Sequence, residues 1–125
     1  MGFSVNPQGP MTIRIGGGSW IDGVLISRPG REDLPIGEAW HPDVLANIVL
    51  DADERISFFG AKEYRTDRKI VELTIGTTKN RRYVAAAHGA HEGLKLDQKS
   101  WSGNFNKIFF HSSNYLSGIG ILYTK

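Results

Sequence analysis

The sequence predicts an all-β domain, and three observations carry that prediction. Apolar and polar residues alternate along most of the chain, and no stretch keeps helical spacing for more than two turns. Glycine and proline break these runs at short intervals, with 15 Gly and 5 Pro among 125 residues and no collagen-like period. A length of 125 residues with 40% hydrophobic and 22% charged composition is that of one globular domain able to bury its own core. Cysteine is absent, which removes disulfides, thiolate nucleophiles and Cys-type zinc sites and leaves stability to packing alone.

Taken in order, residues 1–10 read as an N-terminal extension or edge strand of a single domain spanning 1–125. Residues 11–15 and 21–26 alternate around Gly16, Gly17 and Gly18, which is strand, glycine-rich turn, strand. Pro29, Gly30, Pro35, Gly37 and Pro42 predict a long irregular loop over 28–42. Residues 44–50 read as an apolar strand. Leu45, Ile48 and Val49 also fit a short helical face, but the acidic turn at 51–54 and the β-rich 56–59 favour a hairpin. Further strands follow at 70–75, 83–87, around Leu94 and Leu96, at 105–110 and at 117–123. About ten short strands separated by turns mean a sandwich, barrel or prism.

The chain also resembles itself. Ser19-Trp20-Ile21-Asp22-Gly23-Val24-Leu25-Ile26 lines up with Asn114-Tyr115-Leu116-Ser117-Gly118-Ile119-Gly120-Ile121. Residues 70–75 keep only the aliphatic positions of that pattern. Starts at Ile21, Ile70 and Leu116 divide the chain into three units of similar length, as expected for three sheets around a pseudo-threefold axis.

The formal net charge is +2, with a pI near 9.0. The densest basic group, Arg65, Arg68, Lys69, Lys79, Arg81 and Arg82, is interrupted by Asp67 and Glu72 and reads as solvated surface, so no nucleic-acid partner is expected. The N-terminal residues lack a charged region followed by an apolar run, and no stretch approaches the length of a membrane span. A soluble protein without membrane insertion is expected, cytoplasmic or exported without a cleavable signal peptide. His88-Gly89-Ala90-His91-Glu92 is broken by glycine and lacks the helical zinc spacing, so no metal is expected there. Asp51-Ala52-Asp53-Glu54 falls short of a calcium loop and reads as a turn with gatekeeping charges. Ser112, His111 and Asp97 have no nucleophile-elbow context. Trp40-His41 and Trp101 read as aromatic residues in loops that cover sheet ends. Neither a catalytic group nor a cofactor is expected.

Four segments, in order, resemble the jacalin-related lectins. They are Thr12-Ile13-Arg14-Ile15 with residues 17–24; Glu54-Arg55-Ile56 with Gly60; residues 70–75 leading into Thr77-Thr78-Lys79-Asn80-Arg81-Arg82-Tyr83; and residues 109–120. The resemblance implies a β-prism I fold of three four-stranded Greek-key sheets with pseudo-threefold symmetry, and a non-catalytic, carbohydrate-binding function. It also implies mannose- or glucose-type glycans as partners, and because one shallow site binds a monosaccharide weakly, useful avidity calls for a homo-oligomer.

The primary sugar site of that family is altered. Ser117 stands where the family has aspartate, and the ten residues before Met11 hold only Gly2 and Gly9. The family's second site falls on Gly18, Ser19, Trp20, Ile21 and Asp22 opposite Gly37 and Gly30. A carboxylate, a hydroxyl and an aromatic face suit a hexose. Asn114, Tyr115 and Ser117 are the expected contributors from the C-terminal loop. Two other readings stand beside this one: Asp22 caps a hairpin while Trp20 packs in the core or an interface, or the domain is an interaction or oligomerisation module whose sugar sites have decayed.

Overall fold

In a computed structural model, which describes residues 1–89 and 95–123, alternation becomes eleven strands and no helix is present among the described residues. They are β1 (Gly2–Val5), β2 (Met11–Gly17), β3 (Ile21–Ser27), β4 (Leu34–Gly37), β5 (Val44–Leu50), β6 (Ile56–Tyr64), β7 (Ile70–Thr77), β8 (Arg82–Ala86), β9 (Leu96–Ser102), β10 (Phe105–Ser112) and β11 (Leu116–Tyr123). They form three antiparallel sheets, ordered β1-β10-β11, β4-β3-β2-β5 and β8-β7-β6-β9. The expected three-sheet architecture is present, with three strands rather than four in the first sheet. Only five residues, 6–10, separate β1 from β2, and a bridge from Gln8 to Arg55 occupies them.

Each sheet turns one face inward, as period-two patterning requires. Ile13, Ile15, Val24 and Ile48 come from the second sheet, Phe59, Leu73 and Ile75 from the third, and Phe105, Ile108 and Phe110 from the first. All belong to one buried cluster. Phe59 and Phe110 meet edge to face at 5.5 Å between centroids, across two sheets.

The three self-similar segments become β3, β7 and β11, the second strand of one hairpin in each sheet. Their turns meet at one end, here called the apex. Trp20, Lys69 and Tyr115, each immediately before its strand, form one cluster there. At the opposite end, the base, Arg55 donates to Asn104 Oδ1 at 3.1 Å, to Gln8 Oε1 at 3.2 Å and to the Phe105 carbonyl.

Several local expectations change. The long loop predicted over 28–42 contains β4, whose Pro35 is tolerated because β4 is an edge strand. Trp101 lies in β9, paired with Phe59 and packed against the core, and not in a loop. Of the 51–54 turn, Glu54 is fully buried, so it is an anchor and not a gatekeeper. The basic group is split: Arg65 and Arg68 pair with Asp97, Arg68 also with Glu63, and Lys79 and Arg81 pair with Asp51 at the base. Ala90, His91, Glu92, Gly93 and Leu94 lie outside the described residues.

Candidate functional site

At the apex, two hairpins place the loop between β4 and β5 against the start of β3. Gly23 pairs with Gly37, and neither position has room for a side chain. A Cβ on Gly23 would lie 2.2 Å from the Glu38 carbonyl carbon. At Gly37 φ is +62°, and a Cβ would lie 2.5 Å from the Asp22 carbonyl oxygen. The Glu38 N–H then reaches that carbonyl at 3.0 Å. Arg14, projecting from β2, donates to the carbonyls of Ala39 at 2.8 Å and His41 at 2.6 Å, which fixes the loop.

This framework positions Asp22. Its Oδ2 accepts the Gly18 N–H at 3.3 Å and sits 3.5 Å from His41 Nε2. The two side chains are 15% and 20% exposed, so the carboxylate is held yet open to solvent. Its Oδ1 accepts no hydrogen bond from the described residues. His41 Nδ1 accepts the Asp43 N–H at 3.1 Å, which leaves the proton of the neutral ring on Nε2, directed at Asp22. Glu38 completes a group of three possible ligand atoms within 4.8 Å of one another. With Nδ1 occupied as an acceptor, Nε2 carries the proton and has no lone pair for a cation, so the arrangement favours a neutral His41 facing the Asp22 carboxylate over metal ligation.

The expected site residues do not all meet. Gly18, Asp22 and Gly37 come together as described. Trp20 and Tyr115 pack edge to face at 6.4 Å, and Lys69 Nζ lies 3.9 Å from the Trp20 centroid, covering one face of the indole. Ser19 and Asn114 are exposed on the 18–20 and 113–115 turns, while Ile21 is fully buried and contributes to the core. Ser117 turns towards its own sheet, with its Oγ 2.9 Å from His111 Nδ1 and donating to the His111 carbonyl. Gly30 is not opposite Asp22. It follows the far end of β3, about 20 Å along the strand by rise per residue.

Sequence reasoning missed Trp40, His41 and Glu38 as members of the site. Trp40 is 67% exposed and does not cover a sheet end. The available signal was Gly37-Glu38-Ala39-Trp40-His41, an aromatic and two ionisable residues directly after a glycine.

At the level of sequence, no family model matches the chain, and no curated protein does. Solved structures do match in three dimensions. A Malaysian banana lectin variant is similar with a TM-score of 0.67 and 20% identity, over 96% of this chain and 86% of that one. Artocarpin, in complex with mannopentose, is similar with a TM-score of 0.63 and 14% identity, over 97% and 87%. A lamprey immune protein is similar with a TM-score of 0.71 and 13% identity, over 98% of this chain but 41% of that one. The likeness is one of fold: this is the β-prism I architecture of the jacalin-related lectins.

Proposed function

We propose that the protein binds carbohydrate at the apex without catalysing a reaction, through Asp22, and that mannose- or glucose-type glycans are its ligands. The observation that carries this reading is the state of the Asp22 carboxylate: one oxygen is fixed by Gly18 and His41, and the other has no partner among the described residues. A rigid carboxylate accepting sugar hydroxyls makes charge-assisted hydrogen bonds and loses little freedom on binding. The exposed Trp40 ring, next to His41, supplies an apolar surface for the C–H face of a pyranose. Ser117, bonded to His111, is directed away from this role. Binding at one shallow site is weak, and several copies per particle would supply avidity, so a homo-oligomer belongs to the same proposal.

Calorimetric titration with methyl mannoside, methyl glucoside and a mannose oligosaccharide tests the reading. Binding is expected, with a loss of roughly tenfold or more in Asp22→Ala, the worth of one charge-assisted contact. Undiminished affinity in that variant would remove Asp22 from the site. Silence towards every saccharide on a glycan array would remove the function.

A further inference from the structure

A second polar cleft lies at the base, on the opposite end from Asp22, and its charge is unbalanced. Arg28-Pro29-Gly30-Arg31 is a tight turn closed by the Arg31 N–H to Arg28 carbonyl bond at 3.3 Å, with Gly30 at φ +71°. Proline followed by a glycine of positive φ is the signature of a type II turn. That turn holds two arginines at its two ends. Lys107 of β10 lies on the same cleft, which measures about 300 Å³ and has an apolar floor of Val5, Ile26 and Leu34. A smaller depression of about 230 Å³ adjoins it and shares Asn6, Arg28 and Arg31.

The Arg28 guanidinium donates to the carbonyls of Gln8 at 2.7 Å and of Asn6. These neutral partners hold the side chain in place without cancelling its charge. None of Arg28, Arg31 and Lys107 forms an ion pair among the described residues. Glu32 is the one acid lining the cleft, so a net positive charge remains. Burial, and secondarily the neighbouring Arg31, lower the pKa of Arg28. Like charges held together by a rigid turn are a standing electrostatic cost, which a bound anion relieves.

We infer that this cleft is an anion site for a phosphate or sulfate monoester of a small molecule, with Arg28, Arg31 and Lys107 receiving the oxyanion and the Val5, Ile26 and Leu34 floor receiving its body. A doubly charged tetrahedral group matches converging guanidinium and ammonium donors. The cleft volume exceeds that of a bare phosphate and lies at the lower end of the range for small-molecule sites.

Amide chemical shifts of the ¹⁵N-labelled protein test this with four probes: glucose 6-phosphate, inorganic phosphate, inorganic sulfate and plain glucose, against sodium chloride at matched ionic strength. The amides of Asn6, Gly30, Arg31 and Leu34 are expected to move with the anions and not with glucose. Tighter binding of the ester than of inorganic phosphate assigns the floor to the ligand body, and equal binding reduces the site to the oxyanion alone. Arg31 is exposed at the end of its turn, so Arg31→Ala is expected to keep the fold and weaken anion binding roughly tenfold. Arg31→Glu is expected to abolish it, and Lys107→Ala to weaken it. Asp22→Ala should leave it unchanged, which separates this site from the apex. The inference is overturned if these amides stay still in every anion, or if they move equally in Arg31→Glu.

Discussion

The two ends of the prism are built from the same three sheets by different means. The base is tied together by side chains that reach the backbone of other sheets. Arg55 bonds the first sheet at the Phe105 carbonyl, Gln8 donates to the carbonyls of Ala52 and Glu54, and the buried Glu54 accepts from Thr77 Oγ1 and from the Asp51 N–H. Among the described residues the apex has one hydrogen bond between sheets, the backbone bond from the His88 N–H to the Gly18 carbonyl, and otherwise relies on the Trp20, Lys69 and Tyr115 cluster. Its buried carboxylate, Glu63, stays within the third sheet, paired with Arg68 and Lys99, and its Oε2 accepts no hydrogen bond among the described residues. The difference teaches where stability and recognition are allotted: a satisfied polar network fixes one end, so the other can carry exposed loops and a partly free carboxylate.

The strongest way to break that contrast is at Glu54. Replacing it with alanine leaves the Thr77 hydroxyl and the Asp51 N–H without their acceptor and removes the partner of Arg81 at 3.3 Å. A loss of about 3 kcal/mol is expected from unsatisfied buried groups, read as a fall in denaturation midpoint with glycan affinity per folded molecule unchanged. A loss below about 1 kcal/mol, the scale of an exposed ion pair, would show that the base is not the stabilising end.

Gly37→Ala probes the apex by its backbone. The positive φ and the 2.5 Å approach to the Asp22 carbonyl both oppose a side chain. About 1–3 kcal/mol of destabilisation is expected. Unlike Glu54→Ala, this change should also weaken glycan binding, because the loop carrying Trp40 and His41 must shift. Normal affinity in Gly37→Ala would mean that the loop takes no part in the site.

The same contrast explains what was legible in the sequence. Central strands were readable because one face is buried: Ile13 and Ile15, or Leu73 and Ile75, alternate with more exposed neighbours. The segment left as a loop, β4, and the two read only in part, β1 as an extension or edge strand and β9 as a strand around Leu94 and Leu96 with Trp101 in a loop, are all edge strands. In β9 the run Asp97-Gln98-Lys99-Ser100 carries no apolar signal, and its strand state comes from pairing with β6, which side-chain periodicity does not encode. Asp22 was readable because Ile21-Asp22-Gly23 resembles the segment that forms the family's second site. Trp40 and His41 were not, since their placement depends on Arg14, distant in sequence, gripping the carbonyls of their loop. The apex cluster was half visible: the repeat aligned Trp20 with Tyr115, but Lys69, at the third equivalent position, shares no chemistry with them.

Lys69→Ala therefore sharpens the comparison further. Its ammonium lies 3.9 Å from the Trp20 centroid and 5.2 Å from that of Tyr115, and 3.7 Å from Asp67 Oδ2. A loss of about 0.5–1 kcal/mol is expected, the scale of a cation–π contact near the surface. Lys69→Met, which keeps the stem over the indole, should recover the packing part alone. If both variants match the parent in denaturant melts, the cluster gives the apex no stability.

The smallest effect is expected from the exposed charges at the base, and its sign follows from their pKa directions. Hydrogen bonds and attraction from Lys79 lower the pKa of Asp51 and of Asp53, and the same contacts raise that of Lys79. For the carboxylates, the stabilisation is complete above their ordinary value near 4 and fades as pH falls through the lower folded value. For Lys79 it is complete below its ordinary value near 10.4 and fades as pH rises through the higher folded one. The stability gap between the parent protein and Lys79→Ala should therefore be level across neutral pH and close at both extremes, with salt narrowing it throughout. Chemical denaturation at a series of pH values reads this gap. One that widens towards acid would mean that these carboxylates gain nothing from Lys79, and that the base is fixed by Glu54 and Arg55 alone.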